Sequence, residues 1–119
     1  MLVKSVKMNK ENEFEGKFNY DNCLTNLSCS ILKYYGITPR HNSLSSVDEE
    51  LNKKRYRNVV VILCDGLGYN ILRNHLSEKS FLIQNLKEPF YSVIPATTTC
   101  GTTSVLSGLN PCEHLWLGW

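Results

Sequence analysis

The chain reads as an α/β protein built on a parallel sheet and preceded by a helical extension. Three observations carry that expectation. A continuous apolar run, Val59-Val60-Val61-Ile62-Leu63-Cys64, closes on Asp65-Gly66 and has the length and β-branched content of a strand buried on both faces. A second candidate strand, residues 90–94, stops at Pro95 and is read as parallel to the first. Helical patterns follow both strands, around Ile71, Leu72 and Leu76 and again around Thr102, Thr103, Val105 and Leu106.

The amino-terminal part, residues 1–57, shows helices only. Asp21 can cap a helix whose apolar positions Leu24, Leu27, Ile31 and Tyr34 keep helical spacing, and Gly36 with Pro39 ends it. Ser46 with Glu49 has the form of a capping box, flanked by Leu44 and Leu51, and predicts a short helix running toward Arg55. From residue 58 the second segment, 58–119, begins with the apolar run. Gly66 and Gly68 turn the chain into the helix of Ile71 and Leu72, and Ser80 starts a further short helix through Phe81, Leu82 and Leu86. The helix after Pro95 is expected to end at Gly108 and Pro111.

Composition limits what such a chain can be. With 119 residues, 42% hydrophobic and 20% charged, it is an ordinary globular chain of one domain at most, and a net charge of +2 selects no partner. Lys53, Lys54, Arg55 and Arg57 cluster at a predicted helix end, where cations form a solvated face, so no nucleic-acid patch is expected. The longest apolar run has six residues, against the roughly 20 that a transmembrane helix needs. With no signal-peptide pattern in residues 1–12, the expected location is cytoplasmic. The cysteines, Cys23, Cys29, Cys64, Cys100 and Cys112, contain no C-x-x-C pair and read as reduced thiols. Asn26-Leu27-Ser28 matches a glycosylation sequon by chance, inside a helix.

Chemistry is expected where the strands end. In a parallel sheet, side chains at the carboxyl ends of neighbouring strands converge on one crevice, so Asp65 and the threonines Thr97, Thr98 and Thr99 can meet there. Asp65 alone can also be read as a cap for the glycine turn, and one threonine is needed as a helix cap; a cap uses only one hydroxyl. The start of that helix presents free N–H groups and a positive dipole end, which favour phosphate and an ionised hydroxyl alike. Competing motifs fail on spacing. A dinucleotide fingerprint would need glycine where Ile71 stands, no Walker A loop is present, and the D-x-D of aspartate-nucleophile phosphatases is broken by Leu67.

The strand-Asp-Gly segment ending at Asp65-Gly66, Pro95-Ala96-Thr97-Thr98, and Ser107-Gly108-Leu109-Asn110-Pro111-Cys112-Glu113-His114 together resemble the alkaline phosphatase superfamily, in its type I phosphodiesterase/nucleotide pyrophosphatase branch. The resemblance covers residues 58–119 and implies an alkaline-phosphatase-like parallel-sheet core of which only the amino-terminal part is present. It implies a hydrolase of phosphate esters or nucleotides with two divalent metal ions, zinc by analogy. Asp65 and Thr98 are the implied metal ligands, Thr98 is the nucleophile with Thr97 and Thr99 as alternative registers, and Thr99 and Gly101 hold the phosphate. A cation fits that scheme chemically, because a threonine hydroxyl is a poor nucleophile until its proton is made easier to lose. Gly101 stands where the branch often has asparagine, leaving only a backbone donor, and Leu115 replaces a glycine after the Glu-His pair. His114 reads as structural, and the residues after Cys100 do not match a sulfatase. The remaining ligands of the family lie beyond residue 119, so the expected state is an incomplete portion of a longer enzyme, inactive alone. The alternative is an inactive fragment or a weak phosphate- or metal-binding module; a phosphomutase is less apt because those resemble serine nucleophiles.

Overall fold

A computed structural model describes residues 3–4 and 18–118 of the chain. The rest of the expected amino-terminal extension, and Trp119, lie outside the described residues. The elements in order are β1 (Val3–Lys4), α1 (Leu24–Tyr34), α2 (Ser45–Asn52), α3 (Tyr69–His75), α4 (Phe81–Gln84), β2 (Phe90–Tyr91), α5 (Thr98–Ser107) and α6 (Pro111–His114).

The expected parallel-sheet α/β core is not what forms. β1 and β2 are two residues each, paired in parallel as Val3 with Phe90 and Lys4 with Tyr91. The fold is a small helical unit with that short pairing at its side. Residues 59–64, expected as the buried strand, are irregular, with Val60 79% and Ile62 80% exposed. Their backbone groups find no backbone partner among the described residues. The physical reason is that β-propensity measures how well side chains pack against neighbouring strands, and among the described residues no strand lies beside the run.

Helix caps follow local chemistry more faithfully. Ser80 Oγ accepts from the Ile83 amide at the start of α4, and Thr97 Oγ1 accepts from the Cys100 amide at 3.2 Å at the start of α5. Gly108, at φ +67°, ends α5 in the left-handed region that glycine tolerates. Two expected caps differ. Cys23 rather than Asp21 precedes α1, where Asn26 Oδ1 takes the Cys23 amide at 2.8 Å, while Asp21 instead accepts from Asn42. Ser46 lies inside α2, which starts after Leu44; that leucine is buried in the core.

One core joins both halves of the chain across residue 57. Cys23, Leu24, Leu27 and Leu44 pack with Phe90, Val93 and Cys100, while Leu72 and Ile83 form a smaller cluster between α3 and α4. α1 is not simply amphipathic, because Thr25, Asn26, Ser28 and Ser30 are buried beside its leucines. Each of these polar side chains has a partner, as burial demands. Ser30 Oγ accepts from the Leu44 amide at 2.9 Å, and Asn26 Nδ2 donates to the Asn42 carbonyl at 2.9 Å. The Asn26 of the chance sequon is thus sealed in the interior. Thr25 Oγ1 donates to the Leu109 carbonyl at 3.3 Å and Ser28 Oγ donates to the Val105 carbonyl.

Those last two bonds serve the end of α5. A helix leaves its final carbonyls without intrahelical donors, and Gly108 N–H reaches only the Ser104 carbonyl. Ser28 supplies the donor for Val105. Replacing Ser28 by Ala is therefore expected to leave that carbonyl unpaired and to lower stability by about 1–3 kcal/mol. Chemical denaturation of the S28A variant with unchanged midpoint would contradict this capping role.

Candidate functional site

Thr97 caps α5 with its own hydroxyl, which leaves Thr98 as the first helical residue with its side chain outward. Thr98 Oγ1 donates to Asp65 Oδ2 at 3.1 Å, and both residues are exposed. The two meet without the parallel strands expected to bring them together. Asp65 sits in the turn between the open 59–64 segment and α3, and Thr98 sits on a helix anchored to the core.

The other threonines are placed differently. Thr97 Oγ1 donates to the Leu117 carbonyl at 2.7 Å while accepting from Cys100, so its hydroxyl is used in both directions. Thr99 is buried, and its hydroxyl has no partner among the described residues. Among the three registers, only Thr98 reaches a carboxylate. The Thr98 and Thr99 amides, at the first two positions of α5, also carry no acceptor among the described residues, as expected for a helix start. Gly101 is not on this surface. Its amide donates to the Thr97 carbonyl at 2.9 Å, and a β-carbon there would meet Leu24 Cδ1 at 3.5 Å. That distance is an ordinary van der Waals contact with α1.

Asp65 and Thr98 offer one carboxylate and one hydroxyl to a cation. A zinc site uses three or four protein ligands. Among the described residues no group of three or more His, Cys, Asp or Glu side chains gathers at any point. The residues present therefore do not fit a complete two-zinc centre. Cys64, next to Asp65, is an exposed free thiol, and the five cysteines form no disulfide.

A second polar cluster lies at α6. Glu113 Oε2 accepts from the Asn110 amide at 2.7 Å and sits 2.6 Å from His41 Nε2, while Oε1 sits 2.8 Å from Arg40 Nε. Nothing in the sequence links positions 40, 41 and 113; the signal available was the Glu-His pair alone. The Asn110 amide, then the His41 bond and the charges of His41 and Arg40, hold the Glu113 carboxyl below its usual range against the opposing effect of burial.

His114 is structural in its geometry. Its Nδ1 accepts from the Trp116 amide at 3.0 Å, so a neutral ring carries its proton on Nε2 and donates it to Ser104 Oγ at 2.9 Å. In that tautomer His114 cannot take a proton from Ser104, and the pair is no nucleophile and base. The ring instead ties α6 to α5. Leu115 follows at φ +58°, the left-handed turn that glycine would accept without strain.

The Lys53–Arg57 region folds against α1. Tyr34 Oη donates to the Tyr56 carbonyl at 3.1 Å and accepts its amide at 2.6 Å. Lys53 pairs with Glu50 at 2.8 Å, and Lys54 lies over the Tyr56 ring at 5.0 Å. The cations follow the carboxyl end of α2, whose dipole they complement. No helix among the described residues is long and apolar enough to cross a membrane.

Comparison with protein-family models, curated proteins and solved structures finds no match for this chain.

Glu113 gives a prediction with a definite sign. Its folded pKa is depressed, so its contribution is present above the unfolded carboxyl range, near pH 4.5, and is lost as pH falls through the lower folded value. Glu113→Gln should cost about 1–2 kcal/mol at pH 7, and the gap to the parent should shrink below about pH 4. Urea melts at both pH values check it; a gap that stays constant would contradict the charge-assisted role.

Proposed function

We propose that this chain carries the nucleophile segment of a phosphoric-ester hydrolase, with Thr98 as the attacking hydroxyl and Asp65 as its partner carboxylate. The observation that supports this reading is the 3.1 Å hydrogen bond from Thr98 to Asp65 at an exposed helix start. It agrees with the resemblance of the Asp-Gly, Pro-x-Thr-Thr and Ser-Gly-Leu-x-Pro segments to type I phosphodiesterases of the alkaline phosphatase superfamily. The substrate class is a small phosphate ester or nucleotide.

In this reading the Thr98 oxygen attacks phosphorus in line, forming a phosphothreonine as the bond to the ester alcohol breaks. The hydroxyl proton, already directed at Asp65 Oδ2, passes to that carboxylate, and the departing alkoxide takes a proton from water, whose hydroxide then removes the proton from Asp65. Hydrolysis of the phosphothreonine by a second water restores the hydroxyl. The free amides of Thr98 and Thr99 suit the phosphoryl oxygens. Gly101 N–H, spent inside the helix, contributes no donor. A divalent cation would supply the charge that makes threonine a competent nucleophile, but Asp65 and Thr98 are a partial ligand set.

That partial set favours a second reading, a weak phosphate- or metal-binding module without turnover. Zinc titration and hydrolysis of a p-nitrophenyl phosphodiester separate the two. The chain is expected to bind zinc weakly, and Asp65→Asn to weaken it at least about tenfold further. Any zinc-dependent turnover above background should fall about a thousandfold or to nothing in Thr98→Ala. Turnover retained in T98A would contradict the nucleophile, and unchanged zinc affinity in D65N would contradict the ligand. Weak binding with no turnover in the parent would favour the module.

A further inference from the structure

The open 59–64 segment is the largest conflict between this sequence and its environment. Six consecutive apolar residues of high β-propensity lie with both backbone edges unpaired among the described residues, and with exposed side chains on both faces. Unpaired strand edges with such side chains are templates for another strand. Two unlike charges flank the run: Arg57 before it, with no ion-pair partner among the described residues, and Asp65 after it. Both are exposed.

We propose that a second copy of this chain pairs with the first through an antiparallel alignment of residues 57–65, giving a two-fold dimer. The charges select the second copy and the register. Side chains alternate between faces along a strand, so a two-fold axis normal to the pair must pass beside one residue that faces itself. Centring on Val61 sets Arg57 of each copy opposite Asp65 of the other, with Asn58 opposite Cys64, Val59 opposite Leu63 and Val60 opposite Ile62. Centring on Val60 would pair Arg55 with Asp65 but set Arg57 against Leu63, and centring on Ile62 would set Val59 against Asp65, so within residues 57–65 only the Val61 register leaves no charge on an aliphatic. In the Val61 register every aliphatic side chain of the run meets an aliphatic one, and Val60 and Ile62, the most exposed of the run, cover each other. This inference does not rest on the hydrolase reading, although both use Asp65: Thr98 occupies Oδ2, and Oδ1 remains for a guanidinium.

Sedimentation velocity over a concentration series tests it, in buffer with a chelator so that no cation competes with Arg57 for Asp65. The chain should move from 13.6 kDa to twice that mass as concentration rises. Val61→Lys, which sets like charges face to face at the axis, should weaken the dimer at least about tenfold. Arg57→Glu and Asp65→Lys should each weaken it about tenfold alone, whereas an equimolar mixture of the two should dimerise like the parent, because both cross-strand pairs are then of opposite sign. In a Cys112→Ser background, Asn58→Cys should be oxidised to a disulfide-linked dimer through Cys64, and Val59→Cys about tenfold more slowly, since its side chain lies on the other face. The cross-linking arm decides the matter if a charge variant fails to fold. A monomer at every concentration, as a run covered by a different protein would give, overturns the proposal. So do an open-ended polymer without a discrete dimer, singles that do not complement on mixing, and equal cross-linking from 58 and 59.

Discussion

The contact on which the rest of this structure depends is the approach of α5 to α1, closed by hydroxyls of one helix on carbonyls of the other. Ser28 and Thr25 reach across to Val105 and Leu109, and the Cys29 thiol lies 3.8 Å from the Gly108 carbonyl. A helix end packed into an interior would otherwise hide unsatisfied carbonyls, a cost of about 1–3 kcal/mol each. The approach is closest at Gly108. A β-carbon at Gly108 would stand 3.3 Å from Leu32 Cδ1, and one at Gly101 would touch Leu24. At Gly108, where φ is +67°, a side chain would also strain the turn, whereas the contact at Gly101 is of ordinary van der Waals length.

That constraint reaches the candidate site through the helix axis. With its carboxyl end fixed by α1 and its flank pinned by the Ser104–His114 bond, α5 holds its first turn in place. Thr97 is consumed in capping, Thr99 points into the interior, and Thr98 is left outward at Asp65. One turn of helix thus divides three identical side chains into a cap, a buried hydroxyl and an exposed donor. Asp65 has a weaker foundation, since it ends a segment with no backbone pairing among the described residues. The nucleophile side of the site is built into the core, and the carboxylate side is borne on a turn.

Several local features of the sequence carried over into the structure, while the caps expected at Asp21 and Ser46 and the strand that needs partners did not. Ser80, Gly108 and the threonine cap act through atoms a few positions away, and each forms as its spacing predicts. The run 59–64 needs strands on both sides, and its composition alone cannot supply them. The meeting of Asp65 and Thr98 was legible from residue types at the two segments, although the mechanism expected for it, adjacent parallel strands, is absent. Gly101, expected to hold phosphate, is buried within α5 with its amide on the Thr97 carbonyl. Arg40, His41 and Glu113 could not be grouped from the sequence, because 72 positions separate the histidine from its carboxylate. Polar residues on α1 were passed over for its leucines, yet they close the central contact.

Native-state hydrogen exchange at low protein concentration tests that central contact most directly, because helices locked by shared bonds must open together. Slow amides of α1 and of α5 should report one common opening free energy, well above that of residues 59–64, and both should fall together in S28A. If α5 instead exchanges as fast as residues 59–64 while α1 stays protected, the helices are not coupled and the α1–α5 contact does not hold the site in place.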